Sequence, residues 1–152
     1  MSRLIVFLLS MSPLSELRGA IPLALLYYKF SLAEAVFISI FGNILIAFLL
    51  LVIFNYLIEN VVNHIFFLKK IINWVFEKTR KRHKAKFNKW QDLALIVIVA
   101  IPLPFTGAWT GVLASYVFDV PLKRAFPLIT LGILISGIIV MLLTINSIYI
   151  FN

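Results

Sequence analysis

The chain has no cysteine, which excludes disulfides, thiolate metal sites and thiol nucleophiles. Acidic residues are scarce, six in 152 residues against fourteen Lys and Arg. Its two histidines, His64 and His83, stand in a basic stretch without further ligands at metal-binding spacing. There is no glycine-rich phosphate loop ending in Lys-Ser/Thr, no nucleophile elbow and no paired carboxylates in an apolar setting. The sequence therefore points away from an enzyme, and neither a metal nor a cofactor is expected.

Apolar residues are abundant. The chain is 62% hydrophobic and only 13% charged, with a mean hydropathy of +1.06. Soluble domains lie nearer half apolar and a quarter charged, so this balance describes an all-α integral membrane protein. One membrane domain over residues 1–152 is expected. The net charge of +8 does not imply a nucleic-acid partner, because of where it lies. Between Glu59 and Asp92 there are nine Lys/Arg and three acids, which leaves only +2 for the rest of the chain. A basic block between apolar segments is what the positive-inside rule produces, and base-stacking or groove-reading motifs are absent.

Two long runs carry no charge: Ala35 to Ile58, 24 residues, and Ala125 to Ile145, 21 residues. At 1.5 Å per residue each is long enough for a hydrocarbon core about 30 Å thick. Pro127 is expected in the first turn of the second run, where proline is tolerated. Ser39, Gly42 and Ala47 in one run, and Gly132, Ser136 and Gly137 in the other, let helices approach closely.

Before each run lies a shorter apolar segment broken by proline and glycine. Leu4 to Ser12 runs into Pro13, with Pro22 further on; Leu93 to Ile101 runs into Pro102 and Pro104. Each arm reaches only about 14 Å as a helix, half a bilayer. Proline removes an amide donor and interrupts the helical ladder. Such a segment crosses as a kinked helix or turns back as a re-entrant hairpin. The re-entrant form places Lys123 and Arg124 on the same side as the basic linker, which suits the Lys/Arg bias. The first residues resemble a signal peptide, but no small-residue cleavage site follows, so retention is expected.

The two halves share this order. With Gly19 set on Gly107, Ala20 falls on Ala108; with two residues inserted, 31–35 runs over 121–125 and Gly42 meets Gly132. Paired interrupted segments at matching positions point to a transport site near the midplane. The expected plan is repeat one (4–58), a basic amphipathic interfacial linker (59–92) and repeat two (93–145), with the repeats inverted. Trp74 and Trp90 would sit at headgroup level, and the stretch Lys78–Lys89 would meet anionic lipid headgroups.

Glu16 and Arg18 are the only charges in the first broken segment. A charge at membrane depth costs about 2.5–3.5 kcal/mol on insertion scales, so it is a candidate functional group. Two positions apart, they pair only where the backbone departs from a helix. Either Glu16 is a protonatable coupling group with Arg18 as counter-charge or substrate anchor, or the two brace the hairpin. Thr106, Trp109 and Thr110 in the second unit, and Asn43 in the first long run, offer polar contacts to a shared site. Glu34 and Arg124 occupy equivalent corners with opposite sign and are expected to be helix-end charges.

The strings Glu16-Leu17-Arg18-Gly19-Ala20-Ile21-Pro22 and Pro102-Leu103-Pro104-Phe105-Thr106-Gly107-Ala108-Trp109-Thr110-Gly111, with Gly42-Asn43 between them, resemble the family of putative small multidrug export proteins. The resemblance covers nearly the whole chain. It implies a multi-pass protein of the prokaryotic plasma membrane and export of small molecules. Phe105 stands where that pattern would place a glycine. The architecture is also similar, more loosely, to the DedA/VTT membrane proteins, associated with lipid and proton-linked transport. The expected function is small-molecule export, proton-coupled, by a homo-oligomer, a dimer in the simplest case. A lipid-headgroup transporter and a membrane assembly factor without flux are the alternatives.

Overall fold

The structure is a computed structural model and describes residues 1–57, 84–103, 106–118 and 120–151. Most of the expected linker, Trp74 included, lies outside these residues, as do Pro104 and Phe105. Among the described residues six α-helices form: α1 (Ser2–Met11), α2 (Glu16–Pro22), α3 (Leu32–Leu57), α4 (Lys84–Ala100), α5 (Ala108–Val117) and α6 (Leu122–Phe151). No strand occurs among the described residues. Two of the helices, α3 and α6, are long and apolar enough to cross a membrane.

Both long helices start three residues before the uncharged runs begin, because capping rather than hydropathy sets a helix start. The Ser31 hydroxyl accepts from the Glu34 amide at 3.3 Å, which makes Ser31 an N-cap. The Pro121 carbonyl accepts from the amides of Arg124 (2.8 Å) and Ala125 (2.9 Å). At its far end α6 runs to Phe151, past the expected end at Ile145. The earlier start moves Pro127 from the first turn of α6 to the second.

Pro22 does not end its helix. It stands at the last position of α2, and the chain continues as a π turn over Leu23–Tyr27. The Tyr28 amide donates to Leu23 O at 3.1 Å, a wider ring than the α-helical one. The expected interruption is thus a change of hydrogen-bond register within one continuous rod.

Helix α1 lies parallel to α3. Arg3 pairs with Glu34 at 2.6 Å near their starts, and further along Gly42 lies against Phe7 O and the Ser10 side chain. Helix α4 lies parallel to α6 in the same way: Asp92 pairs with Arg124 at 2.6 Å, and Gly132 lies against Ile96 O and the Val99 side chain. In each pair the glycine's missing Cβ allows the approach. A Cβ on Gly42 would stand 2.8 Å from Phe7 O, and one on Gly132 3.0 Å from Ile96 O. The two pairs run antiparallel to each other, since Ile40 packs on Gly137 and Phe48 on Phe126 (ring centroids 5.4 Å apart). The ion pairs therefore sit at opposite ends of the bundle.

Leu17, Ile21, Leu51, Val99, Ile129 and Ile133 form the middle of the buried core. Outward, α3 and α6 expose Phe37 (74%), Ile53, Ile138 and Leu142, an apolar girdle that a water-soluble protein rarely shows and that suits lipid.

The Arg3–Glu34 and Asp92–Arg124 pairs are partly exposed, so each is worth at most about 1 kcal/mol. Arg3→Glu alone is expected to lower thermal stability slightly, and adding Glu34→Arg to restore it, because the other end already carries the reversed polarity. Thermal unfolding in detergent would reveal a double variant less stable than the single, and with it a mistaken pairing.

Candidate functional site

The chain turns back after α1 through residues 12–15, and α2 packs against α1, with Val6, Ala20 and Ala24 in one buried cluster. The turn leaves Glu16 with φ +45°, a left-handed conformation that costs a non-glycine residue about 1–3 kcal/mol. Its amide still closes the turn, donating to Ser12 O at 3.0 Å. The unusual φ lets Glu16 and Arg18 meet despite a spacing that keeps side chains apart on a regular helix.

The Glu16 carboxylate crosses to the second half of the chain. It is almost wholly buried, at 5% exposure, and lies directly on Gly107, where a Cβ would strike both its oxygens. Gly107 (φ 137°, ψ −157°) is the N-cap of α5, and its conformation is essentially open to glycine alone. The Trp109 backbone amide donates to Glu16 Oε1 at 3.5 Å. Glu16 thus lies at the start of α5, where free amides and the helix dipole favour negative charge.

Arg18 makes the complementary contact. Its Nη1 donates to Leu103 O and its Nη2 to Thr106 O, while Nη2 stands 3.6 Å from Glu16 Oε2. These carbonyls belong to the unwound segment between α4 and α5, whose polar groups need partners wherever water is excluded. The Thr106 hydroxyl stays within the same segment: it accepts from the Leu103 amide at 3.0 Å and lies 2.6 Å from Ile101 O. Trp109 reaches the other way, its Nε1 donating to Met11 O at 3.0 Å.

Glu16, Arg18, Thr106 and Trp109 therefore meet where the two turns touch. Thr110 follows on α5 and has a partner of its own. Asn43 is buried on α3 (1% exposed), and its Oδ1 has no hydrogen-bond partner among the described residues. Pro22 and Pro102 shape the two segments, and Gly19 stands over Ser15. Gly111 lies against Val99, closing α5 onto α4. Among the described residues no group of His, Cys, Asp and Glu could hold a metal.

Sequence reasoning names Gly107 for its place in a motif but misses it as the seat of Glu16. It also misses the backbone carbonyls of Met11, Leu103 and Thr106 as acceptors. Only the scarcity of other polar groups near Arg18 and Trp109 hints that the backbone supplies them.

A sequence profile of the family described as "putative small multi-drug export protein" matches residues 16–139. The chain belongs to this family. Glu16, Arg18, Leu103, Thr106, Gly107 and Trp109 all fall inside the stretch matched to this export family, which ends at Ile139 within α6. The family's name implies a transporter rather than an enzyme. No curated protein and no solved structure matches the chain.

Arg18→Lys tests the clasp. Lysine keeps the charge but lacks the fork that serves two carbonyls at once. Leaving one unpaired is expected to cost about 1–3 kcal/mol, read as a lower unfolding temperature in detergent. An unchanged temperature would remove Arg18 from the clasp.

Proposed function

We propose that the chain is a proton-coupled exporter of small molecules in a prokaryotic plasma membrane. Its site lies where two re-entrant hairpins of an inverted repeat meet. The contact between Glu16 and Arg18 of one turn and Gly107, Thr106 and Leu103 of the other carries this reading.

Depth supports it. Gly42 stands ten residues into α3 and Gly132 ten residues into α6, so each turn reaches about 15 Å from its own end, half of a ~30 Å core. The matched contacts Gly42 on Phe7 and Ser10, and Gly132 on Ile96 and Val99, support the repeat. The antiparallel course of α3 and α6 supports its inversion. Charges at this depth call for a task, and broken helices facing each other across a repeat boundary provide an ion and substrate site.

In this reading Glu16 takes up and releases the coupling proton, and Arg18 holds the second turn against it. The basic linker faces the cytoplasm and anionic lipid headgroups, as its Lys and Arg favour. So short a chain encloses a substrate path as a homodimer.

Purified protein in vesicles with an imposed pH gradient tests the reading, with ethidium as the fluorescent cationic probe. Gradient-dependent ethidium movement above that of protein-free vesicles is expected, and equal rates would count against export. Topology gives a separate check, since the chain has no native cysteine. Lys84→Cys and Lys123→Cys should react with an impermeant thiol reagent from one face of the membrane and Asn152→Cys from the other. Lys123→Cys reacting from the face opposite Lys84→Cys would mean that the hairpins cross.

A further inference from the structure

At three buried positions around the paired glycines the first half is polar and the second apolar. Ser10 stands against Gly42 as Val99 stands against Gly132. Counted from those glycines, Ser39 and Asn43 on α3 correspond to Ile129 and Ile133 on α6. All six side chains are at most 1% exposed. The same interior positions are thus polar in the first half and apolar in the second.

Ser10 satisfies its hydroxyl locally, donating to Phe7 O at 2.6 Å. Ser39 Oγ and Asn43 Oδ1, by contrast, have no hydrogen-bond partner among the described residues. They lie one helical turn apart on the same face of α3, with about 5–6 Å between their Cβ atoms. Buried polar groups in folded proteins are nearly always paired, with protein or with ordered water. A buried water needs at least two polar contacts, and this pair supplies two. On α6 the partnerless buried hydroxyl, Thr130 Oγ1, is one residue round from Ile129 and so points about 100° away from that face.

The position of the pair relates it to Glu16. Helix α2 runs antiparallel to α3, and Ala20 and Ala24 share a buried cluster with Ala35 and Val6. Leu17 and Ile40 both lie on Gly137, which brings the start of α2, next to Glu16, alongside the turn of α3 between Ser39 and Asn43. Val6, Ala20, Ala24 and Ala35, each at 0% exposure, close the space from the Arg3–Glu34 end.

We propose that Ser39 and Asn43 form an internal water-binding site beside Glu16, present in the first half of the chain and missing from the second. The water held there accepts from the Ser39 hydroxyl, donates one proton to Asn43 Oδ1 and keeps its second for the Glu16 carboxylate. That last role rests on the reading of Glu16 under Proposed function, whereas the hydration itself does not.

Hydroxyl-radical footprinting tests the site directly, because radicals generated from bound water oxidise the side chains beside it. Ala47→Cys, one turn from Asn43 on α3 and buried like it, is the single-cysteine reporter, because it leaves Ser39 and Asn43 in place. It is measured in the full chain, in detergent and in vesicles, with and without Asn43→Leu, and against Ile133→Cys in the second half. Ser39→Ala replaces Asn43→Leu should that variant fail to fold. Oxidation of the reporter at least roughly tenfold faster than in either comparator is expected, since thiol oxidation follows access. A reporter no faster than the comparators would overturn the site. The measurement needs no flux, so a failed transport assay leaves it standing, and a dry reporter leaves export standing.

Discussion

Glu16→Gln is expected to abolish pH-driven ethidium movement in vesicles while the protein still inserts, purifies and melts near the wild-type temperature. The substitution preserves shape and leaves an oxygen to accept from the Trp109 amide, which donates to Glu16 Oε1 at 3.5 Å. It removes the ability to exchange a proton and the charge facing Arg18 and the start of α5. If Glu16 only braced the turns, an uncharged isostere would cost stability and leave flux nearly intact. If it couples, flux should fall by at least about tenfold, equivalent to about 1.4 kcal/mol, with little change in melting. Undiminished flux with lowered melting would assign Glu16 a purely structural role. Arg18→Lys, with its lower melting temperature, gives the opposite pattern and serves as the internal contrast.

Gly107→Ala should be the most damaging single methyl in the chain. The backbone there (φ 137°, ψ −157°) disfavours any side chain, at a cost of about 1–3 kcal/mol. The added Cβ would also strike Glu16, with the carboxyl carbon at 2.6 Å and Oε1 at 2.8 Å. The neighbour cannot swing away freely, because the carboxylate is buried and the backbone of Glu16 is itself held at φ +45°. Stability and flux are expected to fall together. Gly19→Ala is the useful comparison. Its Cβ would meet the Ser15 hydroxyl, which can turn to another rotamer, so a milder effect is expected. Unfolding temperatures of the two variants decide the matter, and equal losses would refute the special standing of Gly107.

Much of this is legible in the residues. Two uncharged runs longer than twenty residues have few solutions other than helices long enough to cross a bilayer; α3 carries the first as far as Leu57 and α6 contains the second. Prolines at 13 and 102 mark where α1 and α4 have ended, since each removes an amide from the ladder. Helix limits are less legible. Hydropathy places the starts of α3 and α6 three residues late, because Ser31 and Pro121 cap helices whose first turns carry charge. Pro22 reads as a break, yet a π turn accommodates it within a continuous rod.

The charged residues show the same division. Their rarity marks Glu16 and Arg18 as candidates, but not what they touch. Glu34 and Arg124 are recognisable as helix-end charges, while their partners, Arg3 and Asp92, emerge only when α1 lies along α3 and α4 along α6. Ser39 reads in sequence as ordinary helix packing and Asn43 as a polar contact to the shared site, and only the packed structure leaves Ser39 Oγ and Asn43 Oδ1 buried without partners among the described residues.

By itself the sequence determined the two helices long and apolar enough to cross a membrane, the broken segments and the family, because hydropathy, proline geometry and motif spacing are local properties. Only the tertiary structure decided that Glu16 lies on Gly107, that Arg18 clasps two carbonyls of the opposite turn, and that the ion pairs stand at opposite ends. Those contacts join residues more than thirty and up to about ninety positions apart: α1 lying along α3 and α4 along α6 makes the ion pairs, and the antiparallel packing of α3 on α6 brings the two turns together.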